Sequence, residues 1–175
     1  MSNATLRQLR MLTRYNAWAN TRLYDILMAL PDGEARARRN LGQHSMVGTL
    51  AHAWVVDRIW QAHLQGQAHG YTARQPQVEP TLRQLRRHQE DSDRWYVTYA
   101  DDLDDTRQAE VLDFRFVDGG AGRMSRGDML LHVVNHKTYH RGYVADMLYQ
   151  AGYRPPVMDL PVFLRDVPQP GNEGA

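Results

Sequence analysis

Ser125-Arg126-Gly127-Asp128-Met129-Leu130-Leu131-His132-Val133-Val134-Asn135-His136-Lys137-Thr138-Tyr139-His140-Arg141-Gly142-Tyr143-Val144-Ala145-Asp146-Met147-Leu148-Tyr149-Gln150 is the stretch on which the fold turns. It predicts one long helix. Ser125 followed three residues later by Asp128 is a capping-box start with Asp in place of the usual Glu or Gln, and Gly152 with Pro155-Pro156 is a stop. Inside it His132, His136 and His140 stand four residues apart, so they share one stripe that drifts by about 40° per step. One ion cannot easily take all three. His132 and His140 are roughly 12 Å apart along the axis, whereas an i, i+4 pair rises only about 6 Å and can share an ion with bonds near 2.1 Å. The pair is His132 with His136 or His136 with His140, and one histidine is left over.

Working outward, Val111 to Val117 alternates Leu112, Phe114 and Phe116 with Asp113 and Arg115 and runs into Asp118-Gly119-Gly120, the pattern of a short β-hairpin. Before it lies a third helix, with Pro80 suited to its first turn, Leu82, Leu85, Trp95, Tyr96 and Tyr99 along it, and an end near Asp101-Asp102. Gly66 to Glu79 has no usable period and reads as a loop. A second, more apolar helix starts after a Ser45 cap and carries Met46, Val47, Leu50, Trp54, Val55, Ile59 and Trp60 to about Gly66. The first helix spans Thr5 to Leu30 and stops at Pro31-Asp32-Gly33. Arg36 to Arg39 reads as a solvated loop, and Leu160 to Leu164 as a short amphipathic piece before an end that frays after about residue 166.

Four long helices around one core give an all-α class: a four-helix bundle with a short β-hairpin inserted before the last long helix. Its long second and third connections leave room for crossovers. At 175 residues, with 42% hydrophobic and 23% charged residues, one domain over 1–175 is expected.

Lys and Arg total 21 against 20 Asp and Glu, a net charge of +1, so no field steers the chain toward nucleic acid or an anionic membrane. There is no cysteine, which excludes disulfides, thiolate metal sites and a cysteine nucleophile. Any metal must use nitrogen and oxygen ligands. Neither an apolar signal segment nor a run of about 18 apolar residues occurs, and the cytoplasm is the expected compartment.

A histidine pair alone is a weak site, so a third ligand from another helix is required. His52 on the second helix shares its face with Gly48, Thr49, Val55, Val56 and Ile59, which points it into the core. A lone histidine on such a face is more often a hydrogen-bonded core residue than a ligand. Beside an inward i, i+4 pair, the ligand reading gains weight, because buried imidazoles otherwise all need partners. His63 lies about 16 Å beyond His52, too far for the same ion. His44, His69 and His88 fall in or near polar segments and need no function. Asp57 and Trp60 suit structural roles, Tyr15 and Trp18 suit core or pocket lining, and Arg141 suits either an anionic substrate or a surface salt bridge.

Three motifs also carry a family resemblance. Thr13-Arg14-Tyr15-Asn16-Ala17-Trp18-Ala19-Asn20 with Leu23, Leu50-Ala51-His52 with Asp57 and Trp60, and Leu131 to Gly142 resemble the DinB family of damage-inducible-like proteins in order and spacing. The resemblance extends through Gly152 and the Pro155 to Leu164 tail. It implies an up-down-down-up bundle with a three-histidine metal site, which falls on His52, His136 and His140 and leaves His132 beside it. Tyr139 replaces another histidine of many members and Tyr143 replaces a glutamine; neither change removes a ligand, and both reshape the pocket mouth.

Three neutral imidazoles leave coordination positions open, the pattern of catalytic sites. Imidazole suits several transition metals. Zinc or nickel leads the expectation, with iron or manganese next. The resemblance implies a metal-dependent enzyme of the thiol-dependent S-transferase, isomerase or hydrolase type, with a small-molecule substrate and a possible low-molecular-weight thiol cosubstrate. It also implies possible homodimerisation. The alternative is a non-catalytic metal-binding stress-response or sensor protein. Binding to nucleic acid or membrane is not expected.

Overall fold

The computed structural model describes residues 4–39 and 45–168. Its order is α1 (Ala4–Met28), a 3-10 turn (Glu34–Arg36), α2 (Met46–Leu64), α3 (Leu82–Asp101), α4 (Asp105–Ala109), β1 (Val111–Arg115), β2 (Ala121–Ser125), α5 (Arg126–Gln150) and α6 (Leu160–Asp166). His44 and the chain beyond 168 lie outside the described residues, so the expectation of fraying concerns mostly residues not described.

Local chemistry sets the helix ends. The Ser45 hydroxyl accepts from the Gly48 amide, as expected of an N-cap. The third helix corrects the reading of Pro80: Thr81 is the N-cap, in a reciprocal capping box with Gln84, and Pro80 precedes it. Ser125 accepts from the Asp128 amide, while its hydroxyl donates to the Asp128 carboxylate at 2.7 Å. Gly152, with φ of 83°, lets the Tyr153 amide return to the Leu148 carbonyl at 2.9 Å and ends α5. The hairpin forms where alternation placed it, with Phe114 opposite Gly122. A β-carbon at Gly122 would lie 2.4 Å from the Phe114 ring, so this strand position must lack a side chain.

Helix directions follow from the two ends of the core. One apolar end joins Leu6 and Leu9 of α1, Val56, Trp60 and Leu64 of α2, Tyr96 and Ala100 of α3, and Met129, Leu130 and Val133 of α5. The other joins Leu23 and Leu27, Met46, Val47 and Leu50, Leu85, and Val144, Met147 and Leu148. Thus α1 and α5 run one way and α2 and α3 the other: up, down, down, up. α1 packs on α3 and α5, and α2 on the same two, so α1 and α2 sit diagonally.

Because α2 and α3 are parallel, the segment between them must travel back along the bundle. A 19-residue helix is about 28 Å long, a distance about nine extended residues can cross. The 66–81 crossover supplies that length. Arg36 ties it to the preceding connection through Glu79 at 3.0 Å and the Pro80 carbonyl at 2.6 Å, so Arg36 is less free than a solvated loop implies. At the other edge, α6 seats Phe163 against Tyr15 and Trp18. Among the described residues, no helix is long and apolar enough to cross a membrane.

Candidate metal centre

Between the two apolar ends lies a polar waist, and α5 divides it. On one side it presents His136 and His140 to His52 of α2; on the other it presents Lys137 to Asp57 of α2 and Gln89 of α3, and Arg141 to Asn16 and Asn20 of α1.

His52, His136 and His140 meet. One nitrogen from each lies within 4.8 Å of the others, and the ring centroids are 5.5, 4.8 and 4.4 Å apart. The Nε2 atoms of His136 and His140 are 3.1 Å apart. Two nitrogens bonded to one ion at about 2.1 Å stand about 3.0–3.4 Å apart at octahedral or tetrahedral angles, so this spacing fits a shared ion. His52 is oriented from behind: its Nδ1–H donates to the Arg74 carbonyl at 2.8 Å, leaving the Nε2 lone pair for the ion. The crossover that parallel α2 and α3 demand therefore also sets this tautomer.

Burial keeps these rings neutral, as ligation requires. It lowers His52, brings His136 down to about 2 with help from His140 and Lys137, and brings His140 down to about 4 with help from His52 and Lys137. The Nδ1 atoms of His136 and His140 are buried and find no hydrogen-bond partner among the described residues. Convergent, incompletely satisfied imidazoles are a poor device for stability alone.

The other histidines stand apart. His132 packs its ring 4.6 Å from Trp60 and 5.6 Å from His136, and burial lowers its pKa against the opposing charge of Asp57. It is the histidine left over by the pair. His63 packs against Trp60 and Phe114, His69 accepts from the Tyr71 amide, and His88 stacks on Trp54. Tyr139, 58% exposed, and Tyr143 stand beside His140 with hydroxyls 2.5 Å apart. Tyr15 and Trp18 belong to the core with Phe163, and the Tyr15 hydroxyl donates to the Met158 carbonyl at 2.9 Å.

The far side of α5 was not anticipated. Lys137, 1% exposed, is paired with Asp57 at 2.7 Å and donates to Gln89 at 2.8 Å. The Gln89 amide donates to Asp57 and Asp93, and the Asn20 amide donates to both Asp93 oxygens at 3.0 Å. Arg141, 2% exposed, donates to Asn16, Asn20 and Thr138 with its guanidinium over Tyr15. Among the described residues it makes no surface salt bridge, and its partners are neutral side chains. Burial raises the Asp93 carboxyl to about 6 against the hydrogen bonds of Asn20 and Gln89 and the charge of Lys137.

Fold and site together define a class: an up-down-down-up four-helix bundle with three imidazoles gathered at its waist. The DinB family model matches residues 1–171, and the chain belongs to the DinB family. It is 27% identical over 157 residues to Protein DinB of Bacillus subtilis (strain 168), covering 87% of this chain and 91% of that one. The crystal structure of a DinB-like protein from Bacillus cereus ATCC 10987 superposes with a TM-score of 0.61 at 19% identity, covering 82% of this chain and 91% of that one, a likeness of fold.

Proposed function

We propose that His52, His136 and His140 hold one divalent transition metal, with zinc or nickel the leading candidates, and that the protein is a metal-dependent enzyme acting on a small molecule. The class of reaction is thiol-dependent S-transfer or isomerisation, or hydrolysis. The observation that carries the reading is the convergence of three neutral imidazoles on α2 and α5, with His52 turned by the Arg74 carbonyl so that its free lone pair faces the pair on α5.

A divalent ion held by three histidines supplies Lewis acidity toward a thiol or a water molecule, with coordination positions left for it. The chain's own residues orient that ion and limit access to it. Tyr139 and Tyr143 edge the site beside His140. Trp18 and the C-terminal α6 pack on each other instead of over the three histidines, which favours turnover above sealed storage.

Elemental analysis of protein purified without an affinity tag or chelator tests the reading. Wild type should carry about one equivalent of a transition metal, and His136→Ala should carry none. His132→Ala should retain it. Absence of metal from wild type under every loading condition would withdraw both the metal and the enzyme. Loaded protein is then assayed for transfer from low-molecular-weight thiols.

A further inference from the structure

His63 is a buried histidine that the metal centre does not use. It is 8% exposed, and neither ring nitrogen has a hydrogen-bond partner among the described residues. Burial, and after it the charge of His69, lower its pKa, so the ring is neutral and offers one donor and one acceptor. Polar groups this deep in a protein normally find partners.

What His63 lines is a cavity of about 440 Å³ between residues 66–70, where the crossover begins, and the hairpin, within the range of roughly 300–1,000 Å³ usual for small-molecule sites. Its apolar wall is held in place. Phe114, 8% exposed, packs its ring 5.0 Å from Trp60 and 5.0 Å from Phe116, over the bare backbone of Gly122. Phe116 also lines the cavity and is 43% exposed. His69 lines it too, its ring 5.4 Å from that of His63. The His69 Nδ1 accepts from the Tyr71 amide at 2.9 Å, so Nε2 carries the proton, and that donor has no partner among the described residues. The charges along the cavity balance. Arg115 donates to the Gly119 carbonyl at 3.1 Å, and Asp113 is paired with Arg123 at 3.6 Å.

None of His52, His136 and His140 lines this cavity. Trp60 and His132 lie between, with ring contacts from His63 to Trp60 at 5.4 Å, Trp60 to His132 at 4.6 Å and His132 to His136 at 5.6 Å. We propose that the cavity is a second ligand site, separate from the metal centre, and that it takes a neutral planar heterocycle carrying both a hydrogen-bond donor and an acceptor, as a nucleobase does. The aromatic wall favours a flat ring, offset or edge to face. His63 and His69 supply the donors and the acceptor that its polar edge requires, which a hydrocarbon would leave unanswered. The balanced charge gives an ion no net field.

The probe is adenine, neutral at neutral pH, and its charged planar counterpart is benzoate. Each is titrated into wild type, His63→Phe, Phe116→Ala and His136→Ala, followed by calorimetry and by the histidine ring signals in NMR spectra. Adenine should bind wild type more tightly than benzoate does and should shift the His63 ring signals. His63→Phe keeps a ring and lacks the polar nitrogens, so adenine affinity should fall about tenfold, and about fivefold in Phe116→Ala, which loses an aromatic face. His136→Ala should bind adenine as wild type does. Absence of adenine binding to wild type at millimolar concentration overturns the proposal, as does undiminished binding in His63→Phe with its circular dichroism unchanged. If His63→Phe does not fold, Phe116→Ala decides, because that ring is largely exposed. Benzoate binding as tightly as adenine overturns the neutral class, and loss of adenine binding in His136→Ala moves the ligand to the metal centre and overturns the second site. The metal reading stands or falls separately.

Discussion

The two faces of α5 solve the same problem in opposite ways. Residues 136 and 137, and one turn later 140 and 141, are two adjacent pairs of nitrogen bases on one helix. Lys137 and Arg141 point into the bundle and are engaged by other helices' side chains, Asp57 and Gln89 for the first and chiefly Asn16 and Asn20 for the second, with Thr138 of α5 beside them. His136 and His140 point toward His52 and engage chiefly one another, with both Nδ1 atoms unpartnered among the described residues. A satisfied buried base belongs to the architecture. A cluster of imidazoles whose ring nitrogens converge on one point has the arrangement that the proposed metal requires. The cation face also bears on the imidazole face, because pinning Lys137 and Arg141 fixes the rotation of α5 and hence where His136 and His140 point.

The comparison is broken most forcefully at Asp57. Asp57→Ala leaves Lys137 buried with only Gln89, and loss of one partner of a buried pair costs about 3–5 kcal/mol. Urea unfolding should show that loss. Asp57→Leu combined with Lys137→Met removes both charges together and should recover most of it. A small effect of Asp57→Ala alone would mean that the waist is open to water and does not pin α5.

Asp93 gives the next largest effect, and its sign can be worked out. Its folded carboxyl titrates near 6, above the ordinary 3.8, because burial disfavours the charge. The folded state therefore holds a proton that the unfolded chain releases. The stability this group contributes is fully present below about 3.8 and is lost as pH rises through about 6, by roughly 2–3 kcal/mol at most. Asp93→Asn abolishes the titration. Unfolding free energies of wild type and Asp93→Asn between pH 4.5 and 7.5 should diverge by that amount, wild type falling relative to the variant as pH rises; parallel curves would sink the idea.

Much of this was legible in the chain. Helical spacing, the Ser45 and Ser125 caps, the Gly152 stop and the Val111 to Val117 alternation report local chemistry, and each fell where it was expected. The face of His52 was readable because 48, 49, 55, 56 and 59 are all small or apolar, but the choice of His136 with His140 needed the family resemblance. The waist was missed, although its trace was there. Along α3 the apolar stripe stops at Leu85 and resumes at Trp95, and the inward positions between are Gln89, Ser92 and Asp93. Asn16 and Asn20 interrupt α1 in the same way, and Lys137 and Arg141 interrupt α5. Three i, i+4 polar pairs on inward faces mark a buried network, but each pair alone reads as a solvated edge. Only tertiary packing brings them together. The Arg74 carbonyl had no sequence signal, because any residue there supplies one; what places it is the crossover forced by parallel helices.

The smallest expected effect sharpens the contrast most. His136 sits one residue before Lys137 on the same helix. In metal-free protein its ring gains one hydrogen bond to His140 and carries a buried Nδ1 without a partner among the described residues. Truncation to Ala loses packing, which costs stability, but also removes an unsatisfied polar atom, which returns some. The two oppose, so His136→Ala should shift the metal-free unfolding free energy by no more than about 1 kcal/mol, against several for Asp57→Ala. With metal present the order changes, because wild type gains the linkage stabilisation of a bound ion and His136→Ala does not. Thermal melts with and without chelator measure both. If His136→Ala costs metal-free protein as much as Asp57→Ala does, the imidazole face is architecture like its neighbour, and the division of α5 into a binding face and a structural face fails.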